Sequence, residues 1–322
     1  MEQPILRIGA VGTSVISHTM QEAISLTPGV VCTAVCSRDE ARGKAFAATH
    51  GIPIWLADFD ALLARDDVDA VYIATPNPLH VPQTIAALAH GKHVIVEKPA
   101  AVTEAGVQAM CAAAEANGVF FFEAITTLFM PNYLVLKELL PKLGRLARAE
   151  ICYGQVSSRI DDYRAGRNPS AFDPAMQGGA LNDMGVYCVH MAVDLFGAPE
   201  RADYSAVLEP NGIDISGTLT LQYPACTVTV RTAKDANIGS GCRFTGAQGE
   251  FVEDGPLNAF AACSAKLNGA PYEGAWQPDG NRMVYELARF RDAIWRRDKP
   301  FYEAMALQSR RVASVLERAH GG

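Results

Sequence analysis

Apolar residues in the first third of the chain come in short blocks separated by stretches with helical spacing. The blocks are "ILRIGAVG", "VVCTAVCSR", "VDAVYIATPN", "KHVIV" and "VFFFEAI". Between the first blocks the spacing predicts helices over 18–26 and 39–50, and further helical segments precede the last two. Short apolar runs alternating with helices imply right-handed β-α-β crossovers and a parallel sheet. After Glu123 the pattern changes. A helix is predicted over 132–140, "RLARAEICYG" begins a strand, and a polar segment over 157–177 leads into "GGALNDMGVYCVHMAVDLFG". "GTLTLQY" and "TVTVRT" alternate as half-buried strands do, and the "PAC" between them suits an antiparallel hairpin. "ADYSAVLE" and "GCRFTGAQGEFVED" add to this strand-rich stretch, and the end is helical over 282–297 and 303–319. The expected architecture is α/β. A doubly wound parallel sheet is expected over 1–124, and an α+β domain with antiparallel strands over 125–322.

Composition narrows the class. With 322 residues the chain can form two domains with cores of their own. A net charge of −7 leaves no basic footprint for nucleic acid. No apolar run approaches the ~20 residues of a membrane-spanning helix. The start, "MEQPILRIGAVG", lacks the basic and apolar regions of a secretory leader. The eight cysteines are scattered, and Cys32 and Cys36 have no second close pair to complete a zinc site. They read as small buried side chains in a reducing cytoplasm.

Candidate chemistry gathers where strands end. "IGAVGTSVIS" joins the first strand to the first helix and places Gly12, Ser14 and Ser17 at the positions of the dinucleotide fingerprint. Gly12 permits a tight turn, Ser14 is small enough for backbone N–H groups to approach a pyrophosphate, and the helix N-terminus adds its dipole. The tip of the second strand reads Ser37-Arg38, where an NAD enzyme would carry a carboxylate. A hydroxyl and a guanidinium suit a ribose 2′-phosphate, so NADP(H) is the preferred cofactor and NAD(H) the alternative. A solvated arginine at a helix start is the competing reading of Arg38, and Asp39 is expected to cap the next helix.

"KHVIV" runs without a turn glycine into Glu97-Lys98-Pro99. Ligands of doubly wound sheets sit at the carboxyl ends of the strands, so this ending delivers a carboxylate and an amine to the binding rim. Proline there permits a cis Lys-Pro bond. "ATPN", 74–77, ends the preceding strand at the same rim. Taken alone, a surface ion pair beside a turn proline is the better reading of the tripeptide. In "NDMGVYCVH", a spacing of 100° per residue puts Asp183, Tyr187 and His190 within about 60° on one helix face. Gly185 interrupts that helix, as if something must approach closely. For His190 a satisfied core histidine is the alternative. No metal is expected, since the seven histidines form no H-x-x-x-H or H-x-H pair, and no Gly-x-Ser-x-Gly hydrolase elbow is present.

In this order and spacing, "IGAVGTSVIS", "VDAVYIATPNPLH", "GKHVIVEKPA" and "GGALNDMGVYCVHMAVDLFG" resemble the Gfo/Idh/MocA family of glucose-fructose oxidoreductase and inositol dehydrogenase relatives. The resemblance extends through "GTLTLQYP" and "GCRFTGAQGEF", essentially the whole chain. It implies a Rossmann domain followed by an α+β domain with a large, mostly antiparallel open sheet. That sheet would serve for substrate binding and as a homodimer or homotetramer interface. It also implies hydride transfer between a nicotinamide and a hydroxyl or carbonyl carbon of a small sugar, polyol or dihydrodiol.

By the same resemblance Lys98 stands beside the nicotinamide and Glu97 by its ribose. Asp183 and Tyr187 match the Asp-x-x-x-Tyr form of glucose-fructose oxidoreductase and the dimeric dihydrodiol dehydrogenases. Tyr187 or Lys98 carries the proton, while Asp183 orients the substrate hydroxyl or holds Lys98. Cofactor contacts are expected from Gly9, Gly12, Thr13 and Ser14, then Val15 and Ile16, around the first turn. Ser37 and Arg38 are expected on the ribose, and Thr75, Pro76, Asn77 and His80 next to Glu97 and Lys98. Substrate contacts are expected from Lys98, Asp183 and Tyr187, with His190 and Arg159 beside them.

The chain departs from its relatives at "ITTLFMP", where Leu128 and Met130 replace an arginine and a histidine. The polar segment carrying Arg159, Asp161, Asp162, Tyr163, Arg164 and Arg167 is either a lid or a solvated crossing. Non-catalytic dinucleotide sensors on this fold tend to lose the lysine and the helix acid, and both are present here.

Overall fold

The computed structural model describes residues 4–274, 277 and 280–321. The chain begins with β1 (Leu6–Val11), α1 (Val15–Leu26), β2 (Val30–Cys36), α2 (Glu40–His50), β3 (Ile54–Leu56) and α3 (Phe59–Leu63). It continues with β4 (Ala70–Ile73), α4 (His80–Ala89), β5 (His93–Glu97), α5 (Glu104–Asn117) and β6 (Phe121–Ala124). All six strands pair in parallel in the order β3-β2-β1-β4-β5-β6, the doubly wound arrangement the alternation predicts. Val94, Ile95 and Val96 of β5 and Val71, Tyr72 and Ile73 of β4 are all buried, as strands covered on both faces must be.

Helix ends follow local chemistry. Asp39 caps α2 by accepting the Arg42 N–H, and Thr103 caps α5 by accepting the Gly106 N–H. Gly51 and Gly118 close the same helices in the left-handed conformation. The first helix starts at Val15, ahead of the expected His18, because its exposed apolar first turn breaks the amphipathic pattern.

After β6 come α6 (Pro131–Leu139), β7 (Leu146–Gly154), the short α7 (Ile160–Arg164), a π-helical turn over Leu181–Gly185, and α8 (Val186–Phe196). β8 (Arg201–Leu208), β9 (Asp214–Gln222), β10 (Thr227–Ala233), β11 (Gly239–Gly246), β12 (Gly249–Glu253), β13 (Cys263–Leu267) and β14 (Ala270–Pro271) follow. These strands form an eight-stranded sheet ordered β14-β13-β12-β11-β7-β10-β9-β8, antiparallel except where β7 pairs with β10. The expected hairpin is β9–β10, closed by the Tyr223 N–H donating to the Cys226 carbonyl at 2.9 Å. One face of the sheet is apolar, with Ile151 and Tyr153 of β7 and Val228 and Val230 of β10 all buried. The opposite positions carry Arg148, Glu150, Arg231 and Arg243.

The chain ends in α9 (Met283–Arg296) and α10 (Lys299–Ala319), the latter starting before the expected residue 303 because Pro300 is tolerated in a first helical turn. Two compact units result: Met1–Ala124 with Asn281–Arg310, and Ile125–Gly280 with Arg311–Gly322. Aromatic stacking ties the late helices to the first unit. Phe290 of α9 lies on Phe122 at 4.6 Å, and Tyr302 of α10 on Phe120 at 4.7 Å. All eight cysteines are free thiols, and burial raises the pKa of each.

His93 opens β5, and its Nδ1 accepts the Phe120 N–H at 3.0 Å. That bond needs the neutral ring, and burial lowers the pKa from 6.5 to about 4. Between those values the unfolded chain takes up a proton that the folded chain refuses. The stabilisation is therefore complete above pH ~6.5 and is lost as the pH falls towards ~4. Urea midpoints measured across this range should fall for the wild type. In His93→Gln, which accepts the same N–H without titrating, the fall should be smaller; parallel curves would exclude His93 as a source of acid sensitivity.

Candidate functional site

The first turn of the parallel sheet is built for close approach. Gly12 has φ +101°, and a Cβ there would lie 2.5 Å from the Ala74 carbonyl oxygen at the end of β4. Its own N–H donates to the Cys36 carbonyl at 3.0 Å, so β1, β2 and β4 meet at this residue. Gly9 lies within β1, where an added Cβ would press on Leu62 and Val68. Thr13 is half-buried in the turn. Ser14 precedes α1 without capping it. Its Oγ instead meets the fully buried Ser17 Oγ at 3.2 Å. The helix N-terminus thus keeps its N–H groups and dipole for an anion, with no acidic residue in its first turn to compete. Val15 is 82% exposed and Ile16 38%, an apolar pair next to that anion position. These features fit the close approach of an anionic dinucleotide to the turn.

At the tip of β2 the Ser37 hydroxyl donates to the Asp39 carbonyl, and Asp39 is engaged in capping α2. Arg38 is exposed and makes no ion pair among the described residues, leaving its guanidinium open to a phosphate.

The Glu97-Lys98-Pro99 ending is held by side chains from three neighbouring segments of the unit. Tyr72 of β4, 1% exposed, donates its O–H to Glu97 Oε1 at 2.7 Å. Glu123 of β6, buried, accepts the Ala100 N–H at 2.9 Å. His80 at the start of α4 is also buried, with Nδ1 2.8 Å from the Pro99 carbonyl and Nε2 2.8 Å from the Thr75 carbonyl. His80 therefore spans the ends of β4 and β5 beneath the rim. Burial lowers its pKa against the pull of both carbonyls. Burial likewise raises the Glu97 pKa, which Tyr72 and Lys98 oppose. The Lys98–Pro99 bond is cis. Lys98 is half-buried, and so are Thr75 and Asn77, while Pro76 is exposed. Thr75 donates its hydroxyl to Gln83 Oε1 at 2.7 Å.

In the second unit the acid and the tyrosine occupy a helix start that is not α-helical. Leu181–Gly185 forms a π turn before α8 begins at Val186. A spacing of 100° does not hold across such a turn. Asp183 and Tyr187 are half-buried, whereas His190, three residues further along the regular helix from Tyr187, is completely buried. Tyr187 packs edge-on to Tyr153 of β7 at 5.5 Å.

Strand-end side chains hold this turn too. Asp214 of β9 accepts the Leu181 N–H at 2.8 Å and the Tyr204 O–H at 2.7 Å, and Thr232 of β10 donates its hydroxyl to the Ala180 carbonyl at 3.0 Å. Lys234, just past β10, donates to Asp183 Oδ2 at 2.5 Å. Gly179 has φ +103°, and a Cβ there would overlap Asp214 Oδ1.

Leu128 and Met130 are buried in the interior of the second unit and form no open wall. Within the polar segment, Arg159 and Arg167 both pair with Asp162, at 3.4 and 2.6 Å, and both are largely exposed. The segment is anchored by Phe172, which packs with Ile160 and Ile215 and stacks on Tyr163 at 4.9 Å. Lys234, Asp214 and Thr232 were absent from the expected set. One signal marks two of them: Val228, Val230, Thr232 and Lys234 continue a single alternation on the buried side of β10.

Comparison with known proteins adds an independent line. Residues 6–124 match the oxidoreductase family, NAD-binding Rossmann fold, and residues 136–252 match the GFO/IDH/MocA C-terminal domain. The chain is 37% identical to the scyllo-inositol 2-dehydrogenase (NADP(+)) IolU of Bacillus subtilis, over 98% of this chain and 96% of that protein. It is 31% identical to mouse trans-1,2-dihydrobenzene-1,2-diol dehydrogenase, again over 98% and 96%. Among solved structures, the 3-ketoreductase KijD10 from Actinomadura kijaniata, crystallised with NADP and TDP-benzene, superposes with a TM-score of 0.87. It covers 99% of this chain and 98% of its own, at 23% identity, a likeness of fold.

The strand-end bonds around the π turn have a measurable cost of removal. Tyr204→Phe withdraws one donor from the buried Asp214 carboxylate and should lower stability by about 1–3 kcal/mol. Gly179→Ala should cost at least as much, since overpacking of about 1–3 kcal/mol adds to a strained φ. Chemical denaturation measures both, and wild-type midpoints would show that the turn is held by something else.

Proposed function

The chain belongs to the Gfo/Idh/MocA oxidoreductase family, and on that footing we propose that it is an NAD(P)-dependent dehydrogenase or reductase. It transfers a hydride between the nicotinamide and a hydroxyl or carbonyl carbon of a small polyhydroxylated compound: a sugar, a polyol or a dihydrodiol. The observation that carries this reading is the polar ending of β5, held by Tyr72, His80 and Glu123 at the carboxyl rim of the sheet. A purely structural strand end has no need of an amine presented this way.

NADP(H) is the preferred cofactor and NAD(H) the alternative. The unpaired, exposed Arg38 and the absence of a free carboxylate at the β2 tip support this order, and so does the NADP(+) in the name of the Bacillus relative. When bound, the nicotinamide supplies or accepts the hydride. The chain's own residues do the rest. Gly12 to Ser14 and the α1 N-terminus hold the pyrophosphate, with Val15 and Ile16 covering it. Ser37 and Arg38 hold the ribose phosphate, and Thr75, Pro76 and Asn77 border the nicotinamide end. Lys98 and Tyr187 are the candidate proton carriers at the substrate oxygen, and Asp183 orients the substrate hydroxyl. Tyrosine has an unperturbed pKa near ~10, so an ammonium that favours its phenolate makes it useful at neutral pH.

Two coarser readings complete the proposal. The charged, open face of the eight-stranded sheet, with Arg148, Arg231 and Arg243, is the surface for a homodimer or homotetramer. A cytoplasmic setting is supported by the eight free thiols.

Calorimetric titration should give a Kd for NADPH at least ~10-fold below that for NADH, about 1.4 kcal/mol, and Arg38→Ala should erase the difference. Tighter NADH binding would reverse the cofactor order, and binding of neither would remove the oxidoreductase reading. Lys98→Ala should lower kcat by about two orders of magnitude or more at nearly constant cofactor affinity. Tyr187→Phe should fold normally and lose most turnover. Near-normal rates in Tyr187→Phe would assign the proton to Lys98 alone.

A further inference from the structure

Among the described residues one lysine is buried, and it is Lys234, with a side chain 1% exposed. Removing an ammonium from water costs several kcal/mol even after relaxation, and an apolar side chain of similar volume often serves stability as well or better. Something other than stability must recommend a lysine here. Its main chain closes the end of β10, where its N–H donates to the Ile215 carbonyl and its carbonyl accepts the Ser157 N–H, each at 2.8 Å. The side chain then passes over the Phe172 ring, 5.1 Å from its centre, and ends on Asp183 Oδ2 at 2.5 Å.

The pair is asymmetric. The lysine is enclosed, whereas the Asp183 side chain is 42% exposed. A carboxylate gripped from behind in this way cannot rotate freely about its Cα–Cβ bond. Its direction towards the outside is set by the ammonium. The backbone beneath it belongs to a π turn that Thr232, two residues earlier on the same face of β10, holds through the Ala180 carbonyl.

We propose that Lys234 is a positioning residue of the reaction. It anchors Asp183 so that the carboxylate meets a substrate hydroxyl as a fixed hydrogen-bond acceptor. The inference rests on the role of Asp183 given above. It also separates the two acidic and basic tasks: Asp183, already paired within its own unit, orients, and the proton travels through Tyr187 or Lys98.

The test is a double-mutant cycle in the full-length protein with Lys234→Met, Asp183→Asn and the two combined. Oxidation of scyllo-inositol, glucose and trans-1,2-dihydrobenzene-1,2-diol is followed with NADP+ and with NAD+, alongside NADPH affinity and melting temperature. Lys234→Met should fold, because the aspartate it leaves behind is half-exposed and solvated. It should lower kcat about tenfold or more, ~1.4 kcal/mol in the barrier, with cofactor affinity unchanged and no fall in melting temperature. In the combined variant kcat should match Asp183→Asn alone, since the lysine acts only through the aspartate. Wild-type kcat in Lys234→Met, or losses that multiply in the combined variant, would overturn the proposal. Should Lys234→Met not fold, Lys234→Arg decides the matter: it keeps the charge and should stay within a few-fold of wild type, and a loss as large as that of Asp183→Asn overturns the anchor. A wild type that turns over none of the three compounds with either cofactor refutes the functional reading itself, whereas an active wild type with an unaffected variant refutes only the role of Lys234.

Discussion

The hydrogen bond from Tyr72 to Glu97 marks the point where an apolar strand becomes a polar rim. β5 is buried on both faces up to Val96, and the carboxylate that follows is still buried. A group taken out of water at that depth must find a partner within the protein, and here the partner comes from the adjacent strand. Glu123 does the same for the Ala100 N–H from the other side, and the His80 ring stands between the Pro99 and Thr75 carbonyls, donating to one of them in its neutral form. A turn that glycine would leave loose is thereby held by three side chains, each itself immobilised by burial.

The second unit repeats the device with different residues. Its helix begins in a π turn, a geometry with fewer regular backbone bonds to define it. Asp214, Thr232 and Lys234, all from consecutive strands, supply the missing definition. Glycine is used for the complementary purpose. Gly12 and Gly179 stand where one backbone segment must come within contact distance of another group, and both adopt a φ that other residues resist. Side chains give rigidity from below, and glycines give access from above.

This division explains which parts were legible in the sequence. The runs "VIV" of β5 and "AVYI" of β4 announce buried parallel strands because no charged residue interrupts them, and Asp39 and Thr103 announce helix starts by their chemistry. The Glu-Lys-Pro ending stood out for the opposite reason, as polarity where a strand should stop. The arc expected for Asp183, Tyr187 and His190 assumes 100° per residue, which holds from Tyr187 to His190 but not through the π turn that carries Asp183. Lys234 escaped notice because an apolar strand seems to end where its first charge appears, although the two-residue alternation runs on through Thr232 to it. The return of α9 to the first unit has no local signal. It depends on Phe290 meeting Phe122 far away in sequence.

The cysteines have a practical consequence. A thiol reacts as the thiolate, and burial works against that form at all eight positions, with Cys32 and Cys36 pushed up to about 11. Burial therefore disfavours attack of the native thiols on maleimides and mild oxidants at neutral pH. A single cysteine introduced at an exposed position such as Val15, beside the dinucleotide turn, would outpace the native thiols. The fold thus offers a clean background for attaching a spectroscopic reporter to one chosen point, without first stripping out its own sulfur.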